Sequence, residues 1–194
     1  MKSNLIDNLY LVFFDPLEFP FFYEDLKSSL SEFIVIFISA FSLSIAMAYI
    51  SPPYTELSLV TIVPFLILNL MFLNFYPKLY SFYIDYKIKS DSSYGEIHQM
   101  SSYIKYSMGL LAFILPLSTI SLAINLKGFS AFFLILLVLV FVIIINISRG
   151  ITSIYKIQMN KSFLLALNSV FILFLLPISI VIYYIVIVFG VLAQ

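Results

Sequence analysis

Side chains that could do chemistry are sparse here, and few of them stand close together. The chain has no cysteine and a single histidine, His98. Thiol nucleophiles, thiolate metal sites and disulfides are therefore excluded. One imidazole cannot build a metal centre alone, and a membrane metalloprotease needs paired His and Glu ligands. His98 reads as an ordinary solvated residue. Glu24, Asp25 and Glu32 fall on a helical approach to the first apolar run. Glu24 and Glu32 are spaced to share a helix face, where two carboxylates can do acid–base work or hold a cation. A solvated helix face is the plainer reading. The five glycines form no lysine-bearing phosphate loop and no dinucleotide fingerprint, and no GxSxG is present. The expectation is no enzyme: no catalytic residue, no metal ligand and no cofactor.

Amides and hydroxyls form a second group. Ser39, Ser42, Asn69, Asn74, Asn146, Ser148 and Asn168 sit within or at the ends of apolar runs. At ~1.5 Å rise per residue they fall at similar depth, towards one membrane face. An amide in hydrocarbon loses its hydrogen bonds, so Asn69, Asn146 and Asn168 are expected to point into a bundle. Asn69, Asn74, Asn146 and Asn168 are thus a candidate inner polar layer. It either joins helices by hydrogen bonds or lines a polar cavity.

The elements that position these residues are apolar runs. The composition is 62% hydrophobic and 10% charged, with mean hydropathy +1.09. A soluble domain averages about 25% charged residues, so a bilayer is the indicated solvent. Five runs are long enough to span: 33–50, 57–76, 106–126, 129–148 and 163–189. Residues 131–145 include no polar side chain, which excludes the alternation of a barrel strand. The predicted fold is all-α, a polytopic membrane protein with five transmembrane helices in a domain over 33–190. Pro64, Pro116 and Pro177 lie inside three of the runs and are candidate helix bends. They serve either as fixed shape or as a hinge.

Between the runs, basic residues set direction. Lys2, Lys27, Lys78, Lys87, Lys89, Lys105, Arg149, Lys156 and Lys161 fall on one side, and only Lys127 on the other. Short loops rich in Lys and Arg stay cytoplasmic. The N-terminus is expected inside and the C-terminus outside, in a prokaryotic cytoplasmic membrane, with no cleavable signal peptide. The 77–105 connection is read as a long cytoplasmic loop, with a short helix over 93–105. The turn at Lys127 and Gly128 makes the third and fourth spans neighbours. The segment 1–32 is dense in Phe, Tyr and Leu but broken by Asp15, Pro16, Glu18 and Pro20. It cannot span. It lies in the interface as an amphipathic segment or packs beneath the bundle.

Three stretches resemble the Yip family, the Rab-GTPase-interacting membrane proteins and their prokaryotic relatives. Asp15-Pro16 with Phe19 and Phe22 is similar to the family's entry before the first span. Ser102-Tyr103 through Tyr106-Ser107 to Pro116 is similar to its approach to the third. Arg149-Gly150-Ile151 to Tyr155-Lys156-Ile157, with Lys161 and Ala166, is similar to its last inner connection. The resemblance covers nearly the whole chain, is nearer the prokaryotic members, and carries no catalytic residue. It implies a non-enzymatic scaffold or membrane organiser, with membrane lipid and other membrane proteins as candidate partners and no nucleic acid. A transporter of small molecules or lipids, or a permease subunit, is the alternative that the polar layer and bent helices would serve.

Overall fold

The unbroken apolar run 131–145 becomes the centre of one 27-residue helix, Phe129–Tyr155. The computed structural model describes residues 5–26, 29–50, 59–88, 94–126 and 129–175, and there is no strand among them. The helices are α1 (Leu5–Phe13), α2 (Phe19–Leu26), α3 (Ser29–Ile50), α4 (Leu59–Ile88), α5 (Tyr94–Ser107), α6 (Ile114–Ala123), α7 (Phe129–Tyr155) and α8 (Met159–Val170). A 3-10 stretch, Met108–Phe113, joins α5 to α6, and a π-helical turn, Phe171–Leu175, follows α8. Four stretches are long and apolar enough to cross a membrane: Ser29–Ala46, Ile62–Ile88, Glu96–Ala123 and Ala131–Tyr155. A helix needs roughly 20 residues to cross ~30 Å of hydrocarbon, so the first crosses only with little tilt. The expected fifth run begins in α8. It continues through the π-helical turn, and its residues beyond 175, Pro177 among them, lie outside the described residues.

The second run is longer than its hydropathy suggests. α4 continues through Pro77 to Ile88, so the opening stretch of the expected 77–105 loop is helix. Proline removes one backbone donor but not the helix, provided that neighbours hold it. They do: Leu73, Tyr76, Pro77, Tyr80, Ser81, Ile84 and Asp85 form one buried stripe at helical spacing. The second half of that loop is α5, which begins at Tyr94 and runs on through the 3-10 stretch into the membrane. α3 packs on α4 and on the 3-10 stretch, α4 on α5 and α8, and α7 on α5, α6 and α8.

At Pro116 the cause of the irregular helix can be traced bond by bond. Proline has no N–H, so the Ala112 carbonyl loses its helical donor. One turn earlier the helix has tightened, and the Ile114 N–H takes the Leu111 carbonyl. The Leu115 N–H, the next donor along, also finds a partner on α3. Ser42 of α3 answers both: its Oγ donates to the Ala112 carbonyl at 2.7 Å and accepts from the Leu115 N–H at 3.1 Å. Ser39, one turn earlier on α3, donates to the Met108 carbonyl at 3.2 Å. The two serines serve the distorted backbone of the neighbouring helix. Ser42→Ala is expected to lower stability by about 1–2 kcal/mol, because it strands two backbone groups. In a Pro116→Ala background, which returns a donor to Ala112, that cost should fall by about half. Thermal unfolding of the four proteins in detergent measures it; an unchanged cost in the Pro116→Ala background sinks the assignment.

Candidate functional site

Polar groups in the bundle concentrate where α1, α3, α5 and α7 meet. Asn8 of α1 is fully buried. Its Nδ2 donates to the Tyr106 hydroxyl at 2.6 Å and to Ser31 Oγ at 3.2 Å, and Ser31 Oγ lies 2.7 Å from the same hydroxyl. At the adjoining residues, Lys105 Nζ pairs with Glu32 Oε2 at 2.6 Å, both side chains being about 14% exposed or less. Ser102 donates to the other carboxylate oxygen, Oε1, at 2.5 Å. The Tyr103 hydroxyl donates to the Val12 carbonyl at 3.0 Å, and the Phe19 ring meets the Tyr103 ring edge-on at 5.0 Å. Arg149 reaches the Phe13 carbonyl through Nη1 at 3.2 Å. Apart from the Asn8–Ser31 bond, which joins α1 to α3, these contacts tie the first 32 residues to α5 or α7.

The N-terminal segment packs against the bundle on one side and leaves large apolar side chains exposed on the other. Asn8, Val12, Phe19 and Tyr23 are buried beneath the bundle. Ile6, Tyr10, Phe14, Leu17, Phe21 and Phe22 are exposed, Phe14 at 74% and Phe21 at 81%. Ile6, Tyr10 and Phe14 recur every four residues, so they form one ridge along α1. This helix buries an amide and exposes its large apolar side chains. That suits a segment with protein on one face and lipid on the other.

The candidate inner polar layer does not assemble into one site. Asn69 is buried and donates to Ser44 Oγ of α3 at 2.9 Å. Asn146 is buried and donates to Ser107 Oγ of α5 at 2.9 Å. Asn74 and Asn168 are exposed. For Asn168 this corrects the expected inward position, and helix geometry explains both placements. Asn74 lies about 140° around α4 from Asn69 at 3.6 residues per turn. The buried stripe of α8 is Ser162, Ala166 and Ser169, and Asn168 lies on the opposite side, with a 3.4 Å bond to the Tyr83 hydroxyl. Similar depth does not imply the same azimuth. Asn146→Leu is expected to cost about 0.5–2 kcal/mol, as interhelical amides in membranes do. Asn168→Leu should stay within about 0.5 kcal/mol. Thermal unfolding of the two variants side by side checks the order; a larger loss for Asn168→Leu would contradict this placement.

Cavities divide accordingly. Asn69 rims an apolar pocket of about 340 Å³ between α4 and α7, bordered by Leu73, Tyr76, Leu136 and Ile143. Asn146 rims a different groove of about 590 Å³ beside α1. A third pocket, about 370 Å³, is polar and lined by Glu32, Lys78, Ser81, His98, Ser102 and Lys105. His98 is exposed at its edge. Pro64 and Pro116 are exposed and line none of these three pockets. The side chains of Glu24 and Asp25 lie outside the described residues, and with them the expected Glu24–Glu32 face. Glu32 itself is engaged by Lys105 and Ser102 rather than by water alone. Among the described residues no group of three His, Cys, Asp or Glu side chains could hold a metal ion.

Two polar residues escape a reading of the apolar runs. Asp85, 3% exposed, accepts from the Tyr155 hydroxyl at 3.1 Å and joins α4 to α7. The spacing of Tyr76, Tyr80 and Ile84 across Pro77 is the signal that puts Asp85 on a helix. Asn8 has no such signal, since its partners lie 23 and 98 residues away. No protein-family model, curated protein or solved structure matches this chain.

Proposed function

We infer that the chain is a non-enzymatic, multi-pass protein of a prokaryotic cytoplasmic membrane, a Yip-type scaffold or membrane organiser. One observation carries the reading: the α1–α2 segment is clamped to α5 by buried hydrogen bonds and to α7 through Arg149, while it offers an apolar ridge outward. A fixed ridge of this kind wedges into one leaflet and acts on lipid packing or on a neighbouring protein. The paired amides support it too, since Asn69 and Asn146 are spent on helix joints in separate places. A permease subunit is the second reading, favoured by the polar pocket of Glu32, Lys78 and His98.

Reconstitution separates the two. Vesicles holding the full chain should be smaller and more curved than protein-free vesicles of the same lipid, by electron microscopy. Phe14→Ser with Phe21→Ser should lose that effect while helix content is kept. Unchanged vesicle size together with saturable solute uptake would favour the permease. The orientation follows from the basic residues. The chain has no cysteine, so single cysteines can be placed at will. Those replacing Glu56 and Gln194 should react with an impermeant maleimide on intact cells, and those replacing Ser92 and Asn160 should not. Labelling at Ser92 would overturn the orientation.

A further inference from the structure

The groove beside α1 joins a lone cation to an apolar wall. Arg149 is the chain's one arginine. It is half-buried on α7, and its bond to the Phe13 carbonyl uses one of five guanidinium donors. Among the described residues the ion pair is Glu32–Lys105, and no carboxylate pairs with Arg149. Asp15 and Glu18 stand on the turn beyond Phe14, but neither lines the groove. The walls below the guanidinium are Leu110 and Phe113 on one side, Val142 and Ile145 on the other. Val142, Ile145 and Arg149 follow one another at helical spacing, a single stripe of α7. Phe113, Val142 and Ile145 are exposed, so the groove opens sideways along a span and not into an aqueous end. From Arg149 to Val142 the helix rises ~10 Å, a large part of one ~15 Å leaflet.

We propose that this groove holds an anionic phospholipid, its phosphate on the Arg149 guanidinium and one acyl chain laid along α7. The match is one of charge and shape. A guanidinium fork meets phosphate oxygens through paired N–H donors, and it is the more weakly hydrated of the two basic heads. Asn146 also borders the groove. A zwitterionic headgroup would bring an ammonium for which the groove provides no carboxylate, so a net negative headgroup is preferred. Phe14 at the rim and the Phe13 carbonyl on Arg149 make the N-terminal segment one wall of the site. A bound lipid therefore ties α1 to α7 from the bilayer side. The proposal rests on the membrane reading of the chain and goes beyond the organiser role by naming what the segment holds.

The chain has no tryptophan, so Phe113→Trp in the full-length protein places a single reporter in the groove. The protein is reconstituted into phosphatidylcholine bilayers doped with brominated phosphatidylglycerol or, at equal mole fraction, brominated phosphatidylcholine. Quenching by the anionic lipid should correspond to about fivefold tighter association, the scale of ~1 kcal/mol per basic residue at an anionic surface. Arg149→Gln should bring that ratio to about one, Arg149→Lys should keep part of it, and Lys87→Gln on α4 should leave it intact. Equal quenching by the two lipids with Arg149 present overturns the proposal, and that comparison decides even if Arg149→Gln fails to fold. Relief of the quenching by added inorganic phosphate also overturns it, in favour of a free-anion site. Quenching by either lipid reports that Phe113 faces hydrocarbon, so lost selectivity is distinguishable from a failure of the membrane reading.

Discussion

Gly150→Ala is expected to destabilise the protein by about 2–4 kcal/mol and to release its N-terminal segment. A Cβ built on Gly150 would overlap Tyr103 Cε1 and Cδ1. The Tyr103 ring is fully buried, held edge-on by Phe19 and by its hydroxyl on the Val12 carbonyl. It cannot move aside without breaking both. Overpacking of a filled core costs about 1–3 kcal/mol, and a lost buried hydrogen bond about 1 more. The added methyl sits on α7, but the damage should appear in α1 and α2, whose joint to the bundle runs through Tyr103. Limited proteolysis should then cut within the first 26 residues of Gly150→Ala while the bundle stays intact. Tyr103→Leu in the same chain removes the clash along with the ring, so Gly150→Ala should cost far less there. Unaltered thermal stability of Gly150→Ala would show that the Tyr103 ring is not confined as described.

How much of this was legible beforehand differs from residue to residue. Helix class and run positions follow from local composition: residues 131–145 allow no other reading. The residues that share a face within one helix are nearly as accessible, and the Tyr76, Tyr80, Ile84 series extends α4 past Pro77 once proline is treated as the loss of one donor. Azimuth between helices is where local reasoning stops. Asn69 and Asn74 have the same type and similar depth, yet one is buried and the other exposed, because the buried stripe is set by what α3 and α8 present to α4. The Ser42 response to Pro116 is of the same kind. Each residue is readable alone, and their pairing across 70 positions is a property of packing. The Tyr103–Gly150 approach is also of this kind, since nothing near either residue in the sequence says that they touch.

Glu32 carries the second large effect. Its carboxylate holds Lys105 at 2.6 Å and accepts from Ser102. Local sequence places it with Glu24 on a solvated face, since neither Lys105 nor Ser102 is near it in the chain. Glu32→Gln keeps a carbonyl oxygen for Ser102 but leaves the Lys105 ammonium, 13% exposed, without its counter-charge. Removing one partner of a buried pair costs about 3–5 kcal/mol. The residual exposure lets water screen part of it, so about 2–3 kcal/mol is expected here. Replacing both partners is the informative control, because it removes the stranded charge along with the attraction. Glu32→Gln with Lys105→Met should recover most of the loss, as neutral replacements of buried pairs generally do. Salt separates this pair from an exposed one. Raising ionic strength should change the cost of Glu32→Gln little, since ions screen a partly buried contact poorly. Thermal unfolding of wild type, both single variants and the double variant in detergent, at low and high salt, provides all of these comparisons. A Glu32→Gln variant as stable as wild type would return Glu32 to the solvated face that its neighbours in sequence suggest, and the joint between α3 and α5 would then rest on Asn8, Ser31 and Tyr106 alone.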